Sequence, residues 1–396
     1  MAHTSSYKKA GFMVILSVLS VYFLGSISGL VNPAIASLAE AYPETDLNTI
    51  MLVSTIPMLC AIPANFLVGP VVKKIGLKTT LVGGLIVFIV TSILPFFMRN
   101  SFTPILFTRA INGLGYGLCN PLMPMIVNAY IEPERRSKIL GYGQSVTQGF
   151  GMVLSSVVGI VAMGTVYNIW LLNLVMCIPL VLGIMLPAPP KWEEEVAAEK
   201  ETIAEPVEKE KLTATVWLII FLAFVWFVFS YPAFLYLSPL IQGKGIGDAA
   251  MAGFTQTLFN VGGVVAGLIF GKLFATTKKY VMSVGLVALV INYFIFAFTE
   301  SSVLYYAANF LGGVGYSVVY VSFITALTAN CAPSAFPTGM GIMTALMNCG
   351  AFVSSYVISG IANVLGMTES LTFPFILCGG VFIVFAVLLV IKPLKM

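Results

Sequence analysis

A charge and a run of glycines open the chemical reading: Arg109-Ala-Ile-Asn-Gly-Leu-Gly-Tyr-Gly-Leu-Cys-Asn120. Arg109 is the one charged residue well inside an apolar segment. At about 100° per residue, Arg109, Asn112, Tyr116 and Asn120 share an arc of about 80° on a helix. In lipid such a polar stripe must face protein or a water-filled cavity. Three roles stay open for Arg109: gating or coupling, attraction of an anionic solute, and bracing of backbone carbonyls. Further polar residues recur at helical spacing, and each of them also suits helix-to-helix hydrogen bonding. Gln144, Gln148 and Ser155 share a face, as do Gln256 with Asn260, and Thr344 with Asn348 and Ser355. Tyr316 and Tyr320 follow Asn309 and Gly312 in the spacing of the Arg109 stripe, and Tyr231 sits beside Pro232. A cavity lined by Tyr116, Asn120, Gln144, Gln148, Tyr231 and Gln256, with Asn260, Tyr316, Tyr320 and Asn348, would take a small solute with hydrogen-bonding groups.

Missing residues limit the chemistry as firmly. No acidic residue falls deep in an apolar segment, so a buried proton carrier of the carboxylate type is not evident. The sole histidine, His3, lies in the N-terminal tail, and the six cysteines have no metal-ligand spacing. No nucleotide fingerprint or nucleophile–base pairing is present. The expectation is therefore a non-enzymatic protein without cofactor or metal. Its basic residues are dispersed, which gives no footprint for nucleic acid.

The elements that position these residues are membrane spans. Of 396 residues 59% are hydrophobic and 9% charged, against about 25% charged in soluble domains. A span needs about 20 apolar residues. Twelve stretches qualify: Gly11–Leu30 (extending towards Leu38), Asn48–Val71, Thr79–Met98, Phe102–Val127, Ile139–Met163, Asn168–Leu186, Ala214–Leu240, Ala249–Ala275, Tyr280–Phe298, Val303–Ala329, Gly339–Leu365 and Thr372–Ile391. The first is longer than a typical signal-peptide core, so it reads as an uncleaved span. With the N-terminus in the cytoplasm, nearly all the lysines and arginines fall on the cytoplasmic side, leaving only Arg99 and Lys244 opposite and Arg109 within the membrane. This places both termini in the cytoplasm and the chain in a plasma (inner) membrane.

Pro187–Thr213 is the one long hydrophilic segment, a solvated linker between residues 1–186 and 214–396. The two parts repeat one another. At an offset of two hundred, Gly113, Gly115 and Tyr116 meet Gly313, Gly315 and Tyr316, and Ser155 meets Ser355; Gly69 meets Gly271 at nearly the same offset. The reading is an all-α membrane protein with twelve transmembrane helices in two pseudo-symmetric six-helix bundles, functional as a monomer in the lipid bilayer. Its site would lie at the midplane between the repeats.

On these features the chain resembles the major facilitator superfamily. Gly69-Pro-Val-Val-Lys73-Lys74-Ile-Gly76-Leu-Lys78 is similar to the family's loop signature Gly-x-x-x-Asp-Arg-x-Gly-Arg-Lys. Lys73 stands where the family has its aspartate, and a lysine cannot accept the hydrogen bonds an aspartate would. Arg109-x-x-x-Gly113-x-Gly115 is similar to the family's fourth-span signature. Gly151 to Ile160 keeps two glycines of a fifth-span antiporter pattern and lacks its proline. The resemblance implies alternating access, with Gly69, Lys73, Lys74, Gly76, Lys78 and Arg109 in gating or coupling. The expected function is secondary transport of a small organic solute, an organic anion or neutral metabolite. Efflux of lipophilic compounds is the alternative within that class. A channel or a non-transporting receptor is the alternative outside it.

Overall fold

The computed structural model describes residues 11–187, 212–331 and 335–394, without the side chains of residues 133, 134, 136–138, 141, 144, 337 and 338. Most of the linker expected at 187–213 thus lies outside the described residues. Ten helical stretches among the described residues are long and apolar enough to cross a membrane. One of these, Ala249–Phe298, turns back at Lys278, whose φ of 49° breaks the helix, and so holds two spans. The fourth span, Thr103–Cys119 continued by Leu122–Tyr130, is divided at Asn120-Pro121 and completes twelve.

The observed spans follow the apolar stretches and exceed them at several ends. The first reaches Ala41 in four short pieces rather than ending near Leu30. It breaks at Val21-Tyr22 and again over residues 28–31, and the second break holds Gly29 and runs into Asn32-Pro33, because glycine weakens a helix and proline cannot donate to it. The seventh is divided in a related way, Ala214–Ser230, Pro232–Leu235 and Leu237–Gly243. The second, Leu47–Ile75, and the eighth, Ala249–Thr277, are long and start alike. Asp46 accepts from the Thr49 amide at 3.0 Å and Asp248 from the Met251 amide at 2.9 Å, each capping the helix's unpaired first turn.

The sequence repeat has a packing cause. A side chain at Gly113 would strike the backbone of Pro57 in the second span, and one at Gly313 would strike Phe259 in the eighth. Gly115 lies against Phe88 and Gly84 of the third span, and Gly315 against Gly285 and Leu289 of the ninth. The fourth and tenth spans, the latter Ser302–Asn330, are each gripped between two neighbours in the same manner. The glycines keep their register because only a bare backbone permits this approach.

The two halves meet where the fifth span, Pro133–Gly164, runs along the eighth, and where the second runs along the eleventh, Phe336–Val364. Twelve spans put the start of the first and the end of the twelfth on one face, here the terminal face; the other is the far face. Contact is closest towards the far face. Gly159 packs on the Ala249 backbone and Gly253 on the Ser155 carbonyl. Thr257 donates to the Met152 carbonyl at 2.8 Å, and Ser238 to the Pro33 carbonyl at 2.8 Å. Ala249, Gly253, Asn260, Gly263, Gly267 and Gly271 share one helical face. Gly263 still meets Gln148, whereas Gly267 and Gly271 have no atom within 4 Å of where a side chain would begin. The interface is sealed at the far face and ends towards the terminal face.

Candidate functional site

Between the halves, where the fifth span brings Gln148 and the eighth brings Asn260 to a shared space, lies a cavity of about 280 Å³. Its walls differ. The first half supplies Ser26, Ser28 and Asn32 from the broken first span and Thr147, Gln148 and Ser155 from the fifth. The second half supplies Phe227, Tyr231 and Phe234 from the seventh span, and Phe259 and Tyr316 from the eighth and tenth. Gln256 and Asn260 of the eighth span add amides to that aromatic side.

The aromatic wall is one packed unit. Tyr316 has ring centroids 5.5 Å from Phe259, 5.8 Å from Phe234 and 4.9 Å from Trp226. Tyr231 lies 5.7 Å from Phe227 and 5.5 Å from Phe234. On the polar wall several groups are already committed. Asn32 accepts from Ser54 at 2.5 Å, Thr147 donates to the Tyr22 carbonyl at 2.9 Å, and Ser26 donates to the Thr147 carbonyl. The side-chain amides of Gln148, Gln256 and Asn260 take no hydrogen bond from other described residues. They are the groups that can turn to a solute.

Five of the expected cavity residues thus line it: Gln148, Tyr231, Gln256, Asn260 and Tyr316. Tyr116 lies one layer behind, beside Ser28, with Tyr231 and Tyr320 within electrostatic reach. Asn120 is at the break of the fourth span, and Asn348 is half-buried on the eleventh; neither lines the cavity in this conformation. The side chain of Gln144 lies outside the described residues. The expectation had no residue from the first span, although Gly25-Ser-Ile-Ser-Gly29 and Asn32-Pro33 interrupt an apolar run, a pattern that points to a binding segment.

Arg109 occupies the interior of the first half, 3% exposed. Its Nε donates to the Val53 carbonyl at 3.0 Å and its Nη1 to Asn112 Oδ1 at 2.9 Å. Asn112 in turn donates to Ser92 Oγ at 2.7 Å and the Phe88 carbonyl at 3.0 Å. Trp170 of the sixth span presents its ring 5.8 Å from the guanidinium. The sequence explains the first bond. Proline at position 57 has no N–H for the carbonyl four residues back, so the Val53 oxygen is left for another donor.

The second half shows what part of this is structural. Asn309 stands where Arg109 does, and its Nδ2 donates to the Thr255 carbonyl at 2.8 Å. Val53 and Thr255 are related by the same offset as Asp46 and Asp248. An uncharged amide performs the same tie between the corresponding helices. The positive charge of Arg109 is therefore additional to the brace. No carboxylate pairs with it among the described residues, whose ion pairs are Arg135–Glu132 and Lys244–Glu300. The neutral phenol of Tyr231, a residue of the cavity wall, lies within electrostatic range of the guanidinium without balancing its charge.

The loop signature resolves into separate jobs. Gly76 has a φ of 86° and turns the chain from the second span into the third, Leu77–Ile93, a conformation that disfavours any side chain. Lys78 donates to the Leu186 carbonyl at 2.5 Å, tying the third span to the end of the sixth. Gly69 has no atom within 4 Å of its missing side chain, and Lys73 and Lys74 are exposed. The loop's contact face is free in this conformation.

Comparison with known proteins matches this architecture. Residues 11–276 and 244–395 fit the sequence profile of the Major Facilitator Superfamily. A hexuronate transporter of Bacillus subtilis (strain 168) is 25% identical over 272 residues, 64% of this chain and 63% of that protein; the match spans less than two thirds of the relative's length. The structure of a D-xylose–proton symporter superposes with a TM-score of 0.78 at 13% identity, covering 96% of this chain and 98% of that one. A peptide transporter in complex with sulfate gives 0.76 at 14% identity, covering 98% and 96%. These structural likenesses establish the fold. The profile covers nearly all the described residues, and the chain belongs to the Major Facilitator Superfamily, with an all-helical, membrane-spanning fold.

Proposed function

We propose that the protein carries a small polyhydroxylated organic anion, of the sugar-acid type, by alternating access through the cavity between its halves. The observation that carries this reading is the uncompensated charge of Arg109 within electrostatic reach of the cavity wall. In a low-dielectric interior a cation without a counter-ion favours an anion at the nearest accessible place. That place is the cavity, which has no charged side chain of its own. The hexuronate relative handles solutes of this class. Three uncommitted amides suit hydroxyl groups, and the aromatic wall suits the apolar face of a sugar ring. A volume of about 280 Å³ favours a single small solute.

In this proposal Gln148, Gln256, Asn260 and Tyr231 bind the solute, and Tyr316 packs on it. Gly69, Lys73 and Lys74 form the contact that engages when the terminal face closes. That face is cytoplasmic and the membrane is the plasma membrane, following the distribution of lysines. No carboxylate lines the cavity, so coupling uses the solute's charge and the membrane potential rather than a protein-borne proton. The test is uptake of labelled glucuronate into proteoliposomes under separately imposed potential and pH gradients. Saturable uptake that responds to potential, with competition by other sugar acids, is expected. Competition by lipophilic cations in place of sugar acids, or stimulation by a pH gradient at zero potential, overturns the reading.

A further inference from the structure

We propose that the outer surface of the second half carries a binding site for one anionic phospholipid, between the ninth and twelfth spans at the terminal face. The ninth span is Val281–Phe298 and the twelfth Phe373–Ile391. A groove of about 400 Å³ lies there, lined by Tyr280, Ser283, Val284, Val287 and Val390. Its apolar side chains are exposed on the lipid-facing side, Val287 by 50% and Val390 by 52%.

Two independent features name the occupant. The first is charge. Lys278 and Lys279 stand at the head of the groove in the turn before the ninth span, and Lys392 follows the twelfth. Lys279 Nζ lies 5.1 Å from the ring centroid of Tyr280, itself a groove residue. Neither Gly271–Tyr293 nor Ile383–Leu394 contains an acidic residue. The second is an orphaned polar atom. Ser283 is 5% exposed, lines the groove, and its Oγ has no hydrogen-bond partner among the described residues.

Depth arranges these groups as a phospholipid would need them. Ser283 lies one turn below Tyr280, about 4.5 Å into the membrane, and Val287 about 10 Å below it. Lysines then meet the phosphate, the serine hydroxyl meets an ester carbonyl, and the valines meet an acyl chain. Basic residues on the cytoplasmic side occur in membrane proteins generally. The groove and the buried hydroxyl distinguish this place from the equally basic Lys73 and Lys74.

The full chain, purified in mild detergent, is titrated with phosphatidylglycerol or phosphatidylcholine, and retained lipid is counted by native mass spectrometry. One phosphatidylglycerol is expected to be held in preference to phosphatidylcholine. Lys279→Gln and Lys392→Gln each weaken it about fivefold, with unchanged melting temperature. Val287→Trp, which fills the groove without altering charge, removes it, and Ser283→Ala weakens both lipids. Equal retention of the two lipids, as for lipid that merely surrounds the protein, overturns the proposal. So does an equal loss on replacing Lys73 and Lys74 by glutamine.

Discussion

Replacing Arg109 by glutamine separates its two tasks. Asn309 shows that an amide can tie the fourth-span position to the neighbouring carbonyl, so Arg109→Gln is expected to remain folded. At worst the Val53 carbonyl loses its donor, costing about 1–3 kcal/mol. Part of that is offset because a buried charge is also removed. The functional loss comes from the field. From Arg109 to Tyr116, which lies beside the cavity residue Ser28, the helix advances about 10 Å. Two unit charges about 10 Å apart, at an effective dielectric of about 20, attract by about 1.7 kcal/mol. That is a factor of about fifteen in affinity. The assay is concentration-dependent uptake of glucuronate and of a neutral sugar into proteoliposomes. The KM for the anion should rise about fifteenfold and that for the neutral solute should not. Arg109→Lys, which keeps the charge, should restore most of the anion affinity. An unchanged anion KM in Arg109→Gln, or a lysine variant as poor as glutamine, refutes the electrostatic argument.

Other outcomes follow from the packing. Gly313→Ala forces the tenth span off the Phe259 backbone and should destabilise by about 1–3 kcal/mol; Gly267→Ala, with open space around it, should not move the melting temperature in detergent. Gly253→Val obstructs the crossing on the Ser155 carbonyl and holds the far face open. A cysteine placed at Asn260 should then be labelled several-fold faster by an impermeant thiol reagent applied to that face, and an unchanged rate counts against the seal described above. Hydrogen bonds from Thr49 hold the Asp46 carboxyl below its ordinary value of 3.8. Its contribution is therefore complete above that value and is lost as pH falls through the lower folded value. Asp46→Ala should cost about 1 kcal/mol at neutral pH, and thermal melts of the two proteins should converge in strong acid.

Much of the architecture was legible because lipid imposes a strict rule. Backbone polar groups must be satisfied within the span, so each crossing leaves a long apolar run, and twelve such runs mark the twelve spans. The division at Asn120-Pro121 and the pieces of the first span were less visible, since hydropathy records apolarity and not continuity of a helix. The cavity was legible in part. Gln148, Gln256 and Asn260 stood out as amides at helical spacing. Ser26 and Ser28 did not, because small hydroxyls also occur in spans as packing residues.

Sequence by itself determined the membrane class, the repeat of glycines and the isolation of Arg109 among uncharged neighbours. Those properties follow from residue type and period, which no packing can alter. Only the tertiary structure decided which way the Arg109 stripe faces. Helical spacing puts Arg109, Asn112 and Tyr116 on one side of a helix. The glycine contacts to Pro57 and Phe88 fix the helix's rotation, turning Arg109 and Asn112 into the first half and leaving Tyr116 behind the cavity wall. The cavity likewise draws on the first, fifth, seventh, eighth and tenth spans, residues up to about 290 positions apart in the chain. Their meeting depends on how the halves pack, a property that no local pattern encodes.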